Sequence, residues 1–247
     1  MLVTAGAAGI GRAISQTFVK HGAHVHICDV DEAALGGVDK AISRTRADVA
    51  NLADVERLFE DVKKSLGGLD VLVNNAGIAG PTGKVEDLRP EDWDRCIAVD
   101  LNGMFYVTRR AMPLLKAAGG GSIVNLSSTA GRLGFPLRSP YAAAKWAVVG
   151  FTKSLAIEAG PQKVRVNCLQ PGIVEGERYE RIIAAKARAT GEAVEEVRAA
   201  MLAGTSLRSS VTAQDVADMA LFLSTAPGSH ITGQAISICA DLRYYPD

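Results

Sequence analysis

Short β-branched apolar runs alternate with longer amphipathic segments along the whole chain, and no other feature limits the fold as much. That alternation is the pattern of a parallel sheet with helices on both faces. Strands are expected at 1–4, 23–28, 41–46, 69–73, 122–126, 164–168 and 235–238. Helices are expected near 10–21, 53–66, 90–117, 140–159 and 212–224. The last of these opens with Thr212 as a cap and Asp215 in its first turn, an acid where the helix dipole favours one. Seven strand segments and 247 residues suit one α/β domain with a doubly wound, mainly parallel, seven-stranded sheet. No repeat or linker breaks the series. One charged helical insertion, 175–207, separates the last two strands and is long enough to cover a substrate rather than only connect.

The first strand runs into Thr4-Ala5-Gly6-Ala7-Ala8-Gly9-Ile10-Gly11. Glycines at a strand-to-helix turn let the backbone approach a pyrophosphate, whose charge the helix amino terminus favours. The spacing is Gly-x-x-Gly-x-Gly, not the Gly-x-Gly-x-x-Gly of most dinucleotide folds. Asp29 ends the next strand, eighteen residues past the last glycine (29 − 11). A carboxylate there accepts hydrogen bonds from an adenosine ribose 2′-hydroxyl and repels a 2′-phosphate. A strand-end Asp can simply cap a turn, but the glycine turn and the acid at this distance together favour a Rossmann-type nucleotide site.

Tyr141 and Lys145 are spaced i,i+4, so on a helix they share one face. Pro140 suits the first helical position and the following alanines favour helix, placing Tyr141 in the first turn. A phenol ordinarily titrates near ~10, too high for a base at neutral pH, and a nearby ammonium stabilises its anion. Ser128 lies at the end of an apolar strand run and can point a hydroxyl into the same space. Serine, phenol and cation together suit proton transfer at an alcohol or carbonyl. Alone, the pair reads equally well as a packed Tyr and a solvated Lys.

Balanced charge (27 basic, 27 acidic residues) gives no reason to expect nucleic acid or an anionic membrane. The apolar runs are strand-sized, far short of a membrane span, and no basic segment with an apolar core opens the chain. Cys28, Cys96, Cys168 and Cys239 are scattered without a C-x-x-C pair, which suits reduced, buried thiols in the cytoplasm. His21, His24 and His26 form the one histidine cluster. No acid or Cys is placed to complete a metal shell, so packed or surface histidines are expected and no metal is assigned.

With these residues in view, the sequence resembles the short-chain dehydrogenase/reductase family in its compact single-domain form. The likeness spans nearly the whole chain. Thr4 to Gly11 resembles the family's glycine turn, so the resemblance puts Gly6, Ala8, Gly9, Ile10 and Gly11 at the cofactor. Asp48-Val49 resembles its adenine-contacting pair, and Asn74-Asn75-Ala76-Gly77 its Asn-Asn-Ala-Gly run. Ser128 precedes Tyr141 by thirteen residues (141 − 128), Tyr141-x-x-x-Lys145 matches the signature, and Pro171-Gly172 fits the turn that places Val174 at the nicotinamide amide. The implied chemistry is hydride transfer between a secondary alcohol or its ketone and a nicotinamide. In it Tyr141 is the acid/base, Ser128 holds the substrate oxygen, and Lys145 binds the nicotinamide ribose and favours the phenolate. A homotetramer or homodimer is implied too, with helices 90–117 and 140–159 as interface.

Several positions depart from the family pattern. The first glycine of the turn is Ala5, tolerable if its φ is negative. The proton-relay asparagine falls on Asp100, which when ionised accepts but cannot donate. The usual threonine after Pro171-Gly172 is Gly176, and the closing Asp-Gly-Gly reads Ala240-Asp241-Leu242. Because the first strand begins at Met1, the chain is expected to start unusually late against the family pattern. Ala8 and the absence of Lys or Arg after Asp29 (Val30 and Asp31 follow) favour NAD over NADP. The substrate is a small molecule: a sugar, polyol, hydroxy acid, 3-oxoacyl compound or steroid. Arg178 or Arg181 in the insertion could meet an anion, although a solvated helix face is the ordinary reading of such charges. The alternatives are a dinucleotide-binding sensor with little catalysis, favoured by Asp100 and Gly176, or a structural α/β domain with no use for the glycine turn.

Overall fold

A computed structural model of the chain describes residues 1–245. Seven strands form one sheet: β1 (Leu2–Thr4), β2 (His26–Asp29), β3 (Ser43–Arg46), β4 (Val71–Asn74), β5 (Gly121–Leu126), β6 (Val164–Pro171) and β7 (Ala235–Ile238). Their order is β3-β2-β1-β4-β5-β6-β7, with every adjacent pair parallel. The strand order therefore switches direction between β1 and β4 while the strands stay parallel, the point where such folds bind ligands at the strands' carboxyl ends.

The helices are α1 (Gly9–Lys20), α2 (Glu32–Gly36), α3 (Leu52–Leu66), α4 (Pro90–Ile97), α5 (Gly103–Ala117), α6 (Ser139–Ala159), α7 (Glu177–Thr190), α8 (Val194–Ala203) and α9 (Ala213–Ser224). Helices α3, α5 and α6 bury one apolar layer on the sheet, with Leu58, Val107, Ala111 and Ala159 in it. Helices α1, α2 and α9 bury the opposite layer, centred on Ile14, Phe18, Val216 and Leu223. A third, smaller apolar cluster joins α7 and α8 (Ile183, Val197, Met201) to Ala130, Ile173, Leu242 and Tyr245, apart from both sheet layers. The 175–207 insertion is thus two helices on a core of their own.

Two expectations are corrected. The single helix 90–117 is broken by a π-helical turn at Ala98–Asn102, which carries Asp100. Such turns widen the hydrogen-bond ladder and redirect the axis. Ala5 adopts φ 49°, not a negative value, so an alanine occupies the left-handed region usually left to glycine. Smaller shifts occur at strand ends. β2 starts at His26 rather than 23, β4 at Val71 rather than 69, and β6 continues to Pro171. Helix α6 starts at Ser139, so Pro140 takes its second position and Tyr141 remains in the first turn.

His26 is buried among hydroxyl groups. Its Nδ1 is 2.8 Å from Ser43 Oγ and 2.9 Å from Ser65 Oγ, and its Nε2 is 3.0 Å from Thr45 Oγ1. His21 and His24 are exposed. All four cysteines are free and buried. Among the described residues no helix is long and apolar enough to cross a membrane.

Candidate active site

The glycine turn leaves β1 under tight backbone constraint. A Cβ at Gly11 would stand 2.1 Å from the Ala5 carbonyl oxygen and 2.6 Å from Asn75 Nδ2, so only glycine fits. Gly9 has φ +50° and open space where a side chain would be. Helix α1 begins after Ala8 with no side-chain cap and no acid in its first turn, whereas α2, α3 and α9 are capped by Asp31, Asn51 and Thr212. Gly6, Ala8, Gly9, Ile10 and Gly11 therefore surround uncapped amides beside open space, which fits a pyrophosphate. Asp29 reaches back to this turn: its Oδ2 accepts from Ala7 N at 3.2 Å and its Oδ1 from Asp31 N at 3.2 Å.

Neighbouring strand ends close the groove. Asn75 Nδ2 donates to the Thr4 and Ala5 carbonyls at 3.0 and 2.9 Å, and Thr4 Oγ1 accepts from Asn75 N and Ala76 N. The Asn75-Ala76-Gly77 segment is thereby locked beside the glycine turn. Asp48 is held by Arg95 at 2.9 Å and by Ala50 N at 2.9 Å, leaving adjacent Val49 buried. Pro171 ends β6, Gly172 N donates to Ile238 O at 2.9 Å, and Val174 pairs with Val211 in an isolated bridge.

Lys145 is buried, and its Nζ donates to Leu126 O at 3.1 Å and lies 3.5 Å from Asp100 Oδ2. Asp100 Oδ1 accepts from Ile78 N at 2.6 Å. Gly77 fits between them, since a Cβ there would lie 3.1 Å from Lys145 Nζ and 3.3 Å from Asp100 Oδ1. The π turn thus aims a carboxylate at the lysine, where an asparagine would have left that charge unpaired. Ser128 is buried and extended, its Oγ accepting from Ala130 N at 3.1 Å. Lys145 Nζ lies 5.5 Å from the centre of the Tyr141 ring.

Three residues unmarked in the sequence also enter the site. Arg138, one turn before Tyr141, is 3% exposed and lies 5.3 Å above the Tyr141 ring and 5.2 Å from that of Phe135. It donates to the Ala79 carbonyl. Burial holds its guanidinium below the ordinary arginine range, opposed by Tyr141 and reinforced by Arg178. Phe135 stacks on Tyr245 at 3.8 Å and 12°. The Tyr245 phenol hydrogen-bonds Thr129, and burial pushes it up to about 12, with the Thr129 bond opposing and Tyr141 adding to the rise. Arg178 is not merely a solvated charge. Its Nη1 donates to Gly77 O at 3.1 Å and its guanidinium lies 5.7 Å from the Tyr141 ring, whereas Arg181 pairs with Glu177 on the surface. The one sequence signal for Arg138 is a cation three residues before the tyrosine, in a loop that also carries Arg132.

Residues 5–240 match a family model described as enoyl-(acyl carrier protein) reductase. D-beta-hydroxybutyrate dehydrogenase of Rhizobium meliloti (strain 1021) is 34% identical, with 96% of this chain and 95% of that protein covered. Two solved structures superpose closely. NAD+-bound xylitol dehydrogenase does so with TM-score 0.91 at 25% identity, covering 97% of this chain and 96% of the other. A variant of actinorhodin polyketide ketoreductase with NADPH gives 0.93 at 31%, covering 99% and 97%. The fold, its nucleotide groove and this breadth of likeness have one meaning: the chain belongs to the short-chain dehydrogenase/reductase family, dinucleotide-binding oxidoreductases of CH–OH groups.

Proposed function

We propose that the chain is an NAD-dependent dehydrogenase or ketone reductase with Tyr141 as its acid/base. The observation that carries this is the buried Lys145 ammonium, fixed by Leu126 O and Asp100 one helical turn beyond Tyr141 and 5.5 Å from its ring. A nicotinamide dinucleotide, when bound, supplies the hydride acceptor. Tyr141 Oη takes the carbinol O–H proton while the C–H electron pair leaves as hydride, and the C–O bond becomes a carbonyl. Reduction reverses each step. Ser128 Oγ holds the substrate oxygen, within reach of the acid/base. Gly6, Ala8, Gly9, Ile10 and Gly11 receive the pyrophosphate, Asp48 and Val49 flank the adenine, and Asn75 to Gly77, Pro171, Gly172 and Val174 line the nicotinamide end. Asp100 has a positioning role, orienting Lys145.

Asp29 supports NAD, because its carboxylate accepts a ribose hydroxyl and repels a phosphate. Arg46, its register partner on β3, is turned toward Glu32 at 3.8 Å. The substrate is a small alcohol or oxo compound, and α7 and α8 cover it. A homotetramer or homodimer through α4, α5 and α6, in a reducing cytoplasm that suits four free thiols, completes the reading.

NADH formation across secondary alcohols, sugars and hydroxy acids tests it. Tyr141→Phe is expected to lower turnover at least about a hundredfold, the lower range for losing a general acid/base. A smaller loss removes Tyr141 from the chemistry, and tight NAD binding without turnover on any substrate favours a sensor. In a binding titration NAD is expected to bind more tightly than NADP, with Asp29→Ser narrowing the gap. Equal or tighter NADP binding by the native chain overturns the cofactor assignment.

A further inference from the structure

We propose that Arg138 and Arg178 form an anion subsite beside Tyr141 that selects substrates bearing a carboxylate, specifically 2- or 3-hydroxy acids and the matching oxo acids. The subsite rests on the dehydrogenase reading for its substrate but not for its chemistry of binding. Both guanidinium groups converge on one ring, at 5.3 and 5.7 Å from its centre. They enter from different elements, the loop before α6 and the first turn of α7, so neither contact follows from the other.

The two like charges have no counterion from the protein among the described residues. The acids around them are committed elsewhere: Asp100 to Lys145 at 3.5 Å, Glu177 to Arg181 at 3.7 Å and Glu180 to Arg198 at 2.7 Å. Cys96 and Tyr245 are held neutral at ordinary pH, burial pushing them up to about 11 and about 12. Each arginine donates to a single carbonyl, Ala79 for Arg138 and Gly77 for Arg178. Among the described residues, Arg138 Nε is buried without a hydrogen-bond partner. A buried cation lacking both a carboxylate and part of its hydrogen bonding is costly, and its planar fork is shaped for a carboxylate. Asp100 already pairs with Lys145, so beside the Tyr141 ring it is Arg138 and Arg178 that lack a carboxylate among the described residues. A carboxylate held on guanidinium groups that touch the Tyr141 ring stands within a few bonds of a carbinol held at the phenol end. That spacing belongs to 2- and 3-hydroxy acids, not to polyols or long acyl carriers.

The test compares each acid with its uncharged counterpart. kcat/KM is measured with NAD for lactate and 3-hydroxybutyrate, both enantiomers, beside their amides. Calorimetry follows binding of propionate and propionamide to the protein with NAD present. The native chain is expected to favour acid over amide by about thirtyfold or more, the low end for a desolvated charge pair. Arg138→Gln and Arg178→Gln are each expected to shrink that ratio at least about tenfold, with Arg138→Lys restoring part of it. Arg178→Gln, at an exposed helix start, keeps the test decisive if Arg138→Gln does not fold. Amides used as well as acids, or variants that depress both equally, overturn the subsite and leave the dehydrogenase reading standing. No alcohol turned over, yet propionate bound in preference to propionamide and that preference lost in Arg178→Gln, sustains the subsite and removes the dehydrogenase reading. No preference in either measurement overturns the proposal.

Discussion

His26 sits at the start of β2 with three hydroxyl groups around its ring and almost no solvent contact. Burial lowers it to about 4, only partly opposed by Asp61. The unfolded chain takes up this proton near ~6.5, so the neutral ring stabilises the fold above that pH, and the benefit drains away as pH falls toward about 4. The full span corresponds to roughly 3 kcal/mol. Urea unfolding between those pH values is expected to show a steeper loss of stability in the native chain than in His26→Gln. Equal slopes would remove the histidine from the acid response. The same scale shows where reading the sequence stops. A histidine on an apolar strand is visible as buried, but Ser43, Thr45 and Ser65 become its partners only once β3 and α3 pack beside it. Arg138 escapes for a related reason, since its contact with Tyr141 depends on how the 131–138 loop folds.

Among elements, the glycine turn is the most legible and the most strained. Its spacing predicts a tight turn between β1 and α1, and its open Gly9 and crowded Gly11 explain the glycines there. Ala5 contradicts the expected negative φ because the turn must reverse before Gly6 whatever residue stands at that position. An alanine in the left-handed region costs about 1–2 kcal/mol, and a glycine gives back roughly 0.5–1 through the freer unfolded chain. Ala5→Gly is therefore expected to raise the thermal midpoint by about 2–3 °C for a domain of this size. A midpoint that falls would show the strain to be absorbed elsewhere. The break at Ala98–Asn102 has no comparable signal, because Ala-Val-Asp-Leu-Asn is compatible with continuous helix. Only the tertiary pull of Ile78 N and Lys145 on Asp100 distinguishes it.

For the whole molecule, large apolar side chains gather outside the helices of one face: Trp93 on α4, Phe105 on α5, and Trp146 and Ile157 on α6, the last 80% exposed. Surfaces of this kind normally mark association. Sedimentation of the native chain is expected to show a dimer or tetramer, and Trp146→Glu to shift it toward smaller species. A native monomer at micromolar concentration would dismiss that assembly. The separate apolar cluster beneath α7 and α8 has a different consequence. These helices lean on Ile173, Leu242 and Tyr245 rather than on either apolar layer of the sheet, so the two layers do not depend on them for their packing. Transplanting 175–207 from a relative should change what is eaten while sparing the machinery that digests it.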